Sequence, residues 1–190
     1  MKKIAILKKL LREWKLILGH YIEISQEDLP YWYNERVNTG FLAVAAWKLG
    51  GIAIEEYSVK RHHGKRKSQG RCDLWFKIDN LDFSIECKQV WPSIFSDKAA
   101  KNIKRALKDA SKQLSKMSRK DKGSVNVSCC FVVPQINKTK FGKKDFLSFS
   151  RYFKDRNTLI DSYFPRVNNK NIARYPGIAI ILRFNPRHKK

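Results

Sequence analysis

Asp73, Glu86 and Lys88 lie in two runs that otherwise read as buried strands, Arg71-Cys-Asp-Leu-Trp-Phe-Lys-Ile78 and Phe83-Ser-Ile-Glu-Cys-Lys-Gln-Val90. A charge in an apolar strand is costly unless something compensates it. A divalent cation shared by the two carboxylates, with the lysine aimed at a phosphate, would compensate all three. That set of groups is suited to phosphodiester hydrolysis. Hard oxygen donors with room left for water suit Mg²⁺ or Mn²⁺. Such an ion would polarise the scissile phosphate and lower the pKa of a bound water. Lys88 would stabilise charge in the transition state or orient the attacking water.

Strand alternation places Glu86 and Lys88 on one face with Ser84, and Asp73 on the face of Trp75. A turn at Asp79-Asn80 joins the two runs as an antiparallel hairpin, which can bring Asp73 beside Glu86. The tripeptide Glu-x-Lys carries little weight alone. Glu13-Trp14-Lys15 repeats it within a helical pattern, where it reads as an ordinary surface pair. Strand context and the upstream aspartate set Glu86-Cys87-Lys88 apart. Gln89 reads either as a supporting group or as a plain strand residue.

The elements that must hold these residues are legible along the chain. Apolar residues at Ile4, Leu7, Leu11, Trp14 and Leu18 predict a helix over 2–18, stopped by Gly19. A second helix is expected from near Ser25, with Glu27 and Asp28 in its first turn, reaching Gly50-Gly51 and carrying Glu35. A strand over 52–59 follows. Residues 60–71 read as a basic loop whose His62, His63, Lys65, Arg66, Lys67 and Arg71 would bind phosphates beside Asp73. Strands over 72–78 and 83–90 precede a helix over 97–118. Its Lys101, Lys104 and Lys108 are candidate backbone contacts. A strand over 125–133, a basic helical region over 143–164 and a strand over 177–184 complete the order. This is an α/β sandwich, a mixed central sheet flanked by helices, with a right-handed crossover from 83–90 to 125–133.

The formal net charge of +23 demands a polyanionic partner, and nucleic acid is the leading one. An anionic membrane surface reached through helix 2–18 is the rival. Cys72, Cys87, Cys129 and Cys130 contain no C-x-x-C pair and read as reduced core residues of a cytoplasmic protein. The longest apolar run is too short to span a bilayer.

The segment from Glu35 to Met117 resembles the PD-(D/E)XK nuclease superfamily, and the order of elements matches over roughly 28–134. The resemblance implies a restriction-endonuclease-like fold and a Mg²⁺- or Mn²⁺-dependent endonuclease, most readily on DNA. It places the metal-binding aspartate on Asp73, the acidic motif residue on Glu86 and the lysine on Lys88. It adds the Cys87 carbonyl as a further metal ligand, Glu35 as a carboxylate on the first core helix, and Gln113 as a supporting glutamine. Cys72 replaces the proline that names the motif. The implied organisation is one nuclease-like unit: a helical appendage over 1–24, a catalytic core over 25–134 and an extension over 135–190. Cutting both strands would call for a homodimer or sequential nicks. The alternative is a non-catalytic nucleic-acid-binding module on the same fold.

Overall fold

The computed structural model describes residues 2–26, 28–64, 66–93, 96–135, 143–165 and 174–184. Helix α1 runs Lys2–Ser25, past the expected stop at Gly19. Its apolar stripe continues through Ile22, which is fully buried, so packing overrides the glycine. A Cβ on Gly19 would lie 3.3 Å from the Tyr163 hydroxyl, so the small residue lets that side chain approach the helix.

The second helix starts later than expected. Ser25 still belongs to α1, and Pro30 opens a short 3-10 turn, Pro30–Trp32. Helix α2 is Glu35–Lys48, capped by Asn34, whose side chain accepts from the Val37 amide at 3.0 Å. Glu35 is thereby the first residue of the helix.

Strand β1 is Ile52–His63 and β2 is Arg66–Ile78, so the basic stretch is not a loop. It forms the outer arm of a hairpin paired through His62↔Lys67 and His63↔Arg66, with Gly64 at φ 64° at its end. This arm escapes sequence reading because most of it buries no face, leaving no apolar alternation to detect.

Strand β3, Leu81–Val90, leads through α3, Asp97–Lys116, to β4, Val125–Val132. The Ser96 side chain caps α3 by accepting from the Ala99 amide. The region expected to be helical over 143–164 divides. Helix α4, Lys143–Ser150, passes through a 3-10 turn, Arg151–Phe153, and Thr158–Tyr163 is strand β5. That run pairs with the last strand, β6, Ile178–Phe184, and sheet pairing displaces the helical pattern.

The six strands form one mixed sheet in the order β1-β2-β3-β4-β6-β5. β3 and β4 are parallel, with α3 as their crossover, and all other pairs are antiparallel. One core lies under α1 and α2, where Leu7, Trp14, Leu18 and Leu42 meet Leu74, Phe76, Phe83 and Ile85. A second lies under α3 and α4, where Ile103, Leu107 and Phe146 meet Cys130, Val132 and Ile181, and a small third gathers Val59, Cys72, Leu114 and Met117. Cys129 faces the first core and Cys130 the second, as neighbours on a strand must. All four cysteines are free and buried, and burial pushes the Cys72 thiol up to about 12. Among the described residues no helix is long and apolar enough to cross a membrane.

Candidate active site

The candidate site forms where the β1–β2–β3 ladder loses its regularity. Cys72 and Leu74 are both buried, two residues apart, yet in different cores. Leu74 packs beneath α2, whereas Cys72 joins Val59, Leu114 and Met117 at the end of α3. The hairpin therefore changes sides at Asp73. Opposite it on β1, Glu56 holds φ 51° and drops out of the pairing register. A left-handed glutamate inside a strand is strained and needs support from its surroundings. The Glu56 carboxylate meets Arg36 at 3.4 Å and Arg71 at 3.3 Å.

The β2–β3 ladder ends at Leu74↔Ile85. One step further, the Cys87 amide donates to Asp73 Oδ2 at 2.6 Å, so a side chain replaces the missing backbone acceptor. That bond fixes Asp73 against β3, next to Glu86.

Glu86 is only 1% exposed. Burial, followed by the neighbouring Asp73 carboxylate, pushes it up to about 7, against the pull of Arg61. Arg61 Nη2 donates to Glu86 Oε1 at 2.6 Å, and the arginine side chain is itself 13% exposed. The same guanidinium donates to the Arg71 carbonyl and, at 3.1 Å, to the Gln113 carbonyl. Gln113 O is one of the last four carbonyls of α3, which lack helical partners. The backbone around Arg61 is clamped: Ser118 N donates to Lys60 O at 2.7 Å, and Lys60 N to Asp121 Oδ2 at 2.7 Å.

Lys88 follows Glu86 on β3. Its ammonium donates to the Cys87 carbonyl and meets Glu35 Oε1 at 3.5 Å. Burial opposes its charge, but Glu35, Asp73 and Glu86 outweigh burial and raise its pKa. Glu35 is raised by burial, partly offset by Lys88. A buried amide network fastens this end of β3 to α2. Asn38 Nδ2 donates to Gln89 Oε1 at 2.8 Å and to the carbonyls of Tyr31 and Asn34, and Gln89 Nε2 donates to Tyr31 O at 3.3 Å. Gln89 thus ties β3 to Asn38 and to the Tyr31 carbonyl.

Asp73, Glu86, Lys88 and Glu35 therefore come together, with carboxylates from three elements around one ammonium. Among the described residues no cluster of three or more His, Cys, Asp and Glu side chains forms a ready metal cage. The donor chemistry nevertheless fits a hard divalent cation at Asp73 and Glu86. Burial is the main cause of the rise of Glu86 and the Asp73 carboxylate the next, and a cation between the two would favour both ionised forms. The Cys87 carbonyl, the third expected ligand, accepts from Lys88 here.

The expected nucleic-acid contacts are distributed differently. His62, Arg66, Lys67 and Arg71 are exposed on the hairpin arm, with Arg71 engaged by Glu56. Lys65 lies outside the described residues, as does the side chain of His63. Lys101, Lys104 and Lys108 are exposed on α3, but the helix face beside Lys88 is that of Lys98, Asn102 and Arg105. Gln113 takes part through its backbone carbonyl. Sequence reasoning placed Arg61 within the basic stretch 60–71 and missed its pairing with Glu86. The available signal was its alternation with Tyr57 and Val59 on β1, masked by reading that stretch as a loop. Asn38 was missed because a single polar residue on an apolar helix face has no distinguishing pattern.

A scan against protein-family models, and searches of curated proteins and of solved structures, return no match for the chain.

Proposed function

We propose that this protein is a Mg²⁺- or Mn²⁺-dependent nuclease of the PD-(D/E)XK type, with a restriction-endonuclease-like fold, acting as an endonuclease on DNA. The observation that carries the reading is the convergence of Asp73 and Glu86 at the break in the hairpin, with Lys88 next on the same strand. Asp73 and Glu86 would hold the cation. When bound, it would polarise the scissile phosphate and activate a water. The protein's own groups supply the rest. Lys88 stays protonated well above neutral pH, and its ammonium stabilises charge on the phosphate in the transition state. Glu35 positions that ammonium. The cations of the hairpin arm hold the backbone without reading sequence.

A panel of labelled duplex, single-stranded and branched DNA and of RNA, incubated with Mg²⁺ or Mn²⁺, tests the proposal. Lys88→Ala should abolish cleavage and leave binding intact. If wild-type protein cuts nothing, or Glu86→Ala cuts equally well, the enzyme reading is wrong.

One observation favours a second reading, a non-catalytic nucleic-acid-binding module. Arg61 already pairs with Glu86 and Lys88 with Glu35, and Asp73 accepts the Cys87 amide, so each carboxylate has a protein partner without a metal. Binding that falls steeply with salt and ignores EDTA, without cleavage, would support it.

A further inference from the structure

A cavity opens beside Lys88. It is a cleft of about 660 Å³ between the end of β3 and the first half of α3. Its size lies within the range of small-ligand sites, roughly 300–1,000 Å³, and is ample for one nucleotide. Trp91, one residue beyond β3, lines it and is 46% exposed. Pro92 supplies a further apolar surface. Across from them, Lys98, Asn102 and Arg105 recur at spacings of four and three, on one face of α3. With Lys88 this gives three cations against the single carboxylate of Asp109. Asp109 lies 3.9 Å from Arg105, and both side chains are largely exposed, so that pair holds the guanidinium weakly.

An aromatic face inside a cationic cleft suits a nucleobase flanked by phosphates. Bases within a continuous duplex are stacked on one another and cannot enter such a cleft. An unpaired or extruded base can, and base–aromatic stacking tolerates any sequence. Trp91 follows Lys88 by three residues, on the order of 10 Å at about 3.3 Å per strand residue. That is the reach of a short run of nucleotides from the phosphate at Lys88.

We propose that this cleft receives an unpaired base of the substrate strand, stacked on Trp91 with its phosphates on Lys98 and Arg105. The preferred substrate is then nucleic acid with single-stranded or unpaired nucleotides next to the cleavage point. The proposal rests on the nuclease reading for the role of Lys88, but its own content is a binding preference.

The test uses the full chain in EDTA, so that nothing is cut. Affinities are measured by fluorescence anisotropy for a labelled oligothymidylate, an oligouridylate and a blunt DNA duplex. Wild type should bind the single strands more tightly than the duplex. Trp91→Ala should weaken single-strand binding by about tenfold and leave duplex binding unchanged, and Trp91→Phe should restore most of the loss. Arg105→Glu should weaken single-strand binding as well. The oligothymidylate and the oligouridylate differ in the 2′-hydroxyl and in the thymine methyl, and a loss with Trp91→Ala on either supports the stack. Equal losses on single strands and duplex, or no loss, would overturn the proposal. Circular dichroism of each variant checks that it has folded. Lys88-dependent cleavage together with an unaltered preference in Trp91→Ala would sink the cleft and spare the nuclease. A preference that needs Trp91, without any cleavage, would do the reverse.

Discussion

Glu86 must ionise before it can hold a cation, and its surroundings resist that. Burial and Asp73 lift it from an ordinary 4.5 to about 7. Between those values the folded chain binds more protons than the unfolded one. The stabilisation is therefore complete below about 4.5 and is lost as pH rises through about 7. In EDTA, the melting temperature should fall over that window, and Glu86→Gln should flatten the fall. Glu35 shifts in the same direction and leaves a residual slope. Divalent cation affinity should rise across the same range, as protons stop competing for the site. Arg61 is the other half of the argument. Removing one member of a buried ion pair costs about 3–5 kcal/mol. Arg61→Ala should lose roughly that much at pH 8 in EDTA. It should lose much less at pH 5, where Glu86 is neutral, and Mn²⁺ should recover part of the loss at pH 8. Chemical denaturation at the two pH values checks this. Equal losses at both would mean that Arg61 acts through Gln113 and Arg71 alone.

Helix α2 and strand β3 must keep their relative position if Glu35 is to meet Lys88. Asn38, one turn after Glu35, is the residue that ties them. Asn38→Leu removes the donor, leaving the half-buried Gln89 Oε1 without its partner and Tyr31 O with Gln89 Nε2 alone. The expected cost is about 1–3 kcal/mol of stability. The cleavage rate should fall by more than substrate affinity, because Lys88 loses its aligned partner while the cationic surfaces stay intact. A variant with unchanged kcat would remove Asn38 from the positioning of the site. The sequence made visible the elements with a strong period: α1, α3, β3, β4 and the Asp79-Asn80 turn. It also marked Asp73, Glu86 and Lys88, because charges in apolar strands stand out. The hairpin arm was hidden because its strands are polar on most exposed positions. β5 was hidden because its partner β6 comes later in the chain, and pairing rather than local pattern makes it a strand. The Arg61–Glu86 pair spans 25 residues, a separation at which local pattern carries no information. The change of sides at Asp73 depends on the backbone of Glu56, which composition does not signal.

The net charge of +23 comes from 40 lysines and arginines against 17 acidic residues, and its placement matters more than its size. The hairpin arm projects Arg66 and Lys67 from the edge of the sheet, close in sequence to Asp73. If the arm grips backbone phosphates, each cation removed from it should reduce the slope of log affinity against log salt by about 0.9 on duplex DNA. Arg66→Glu combined with Lys67→Glu should therefore flatten that slope by about 2 and weaken binding to all sequences alike. Both side chains are exposed, so stability should change by less than about 0.5 kcal/mol for each. The same double change should leave the preference for unpaired nucleotides intact, since that preference is assigned to Trp91 in a cleft that no arm residue lines. Salt titrations of the arm variant and of Trp91→Ala, on matched duplex and single-stranded probes, separate the two surfaces. The arm variant should lose slope without losing preference, and Trp91→Ala should lose preference without losing slope. If one variant removed both, the arm and the cleft would be parts of a single surface, and the division of labour argued for them would fail.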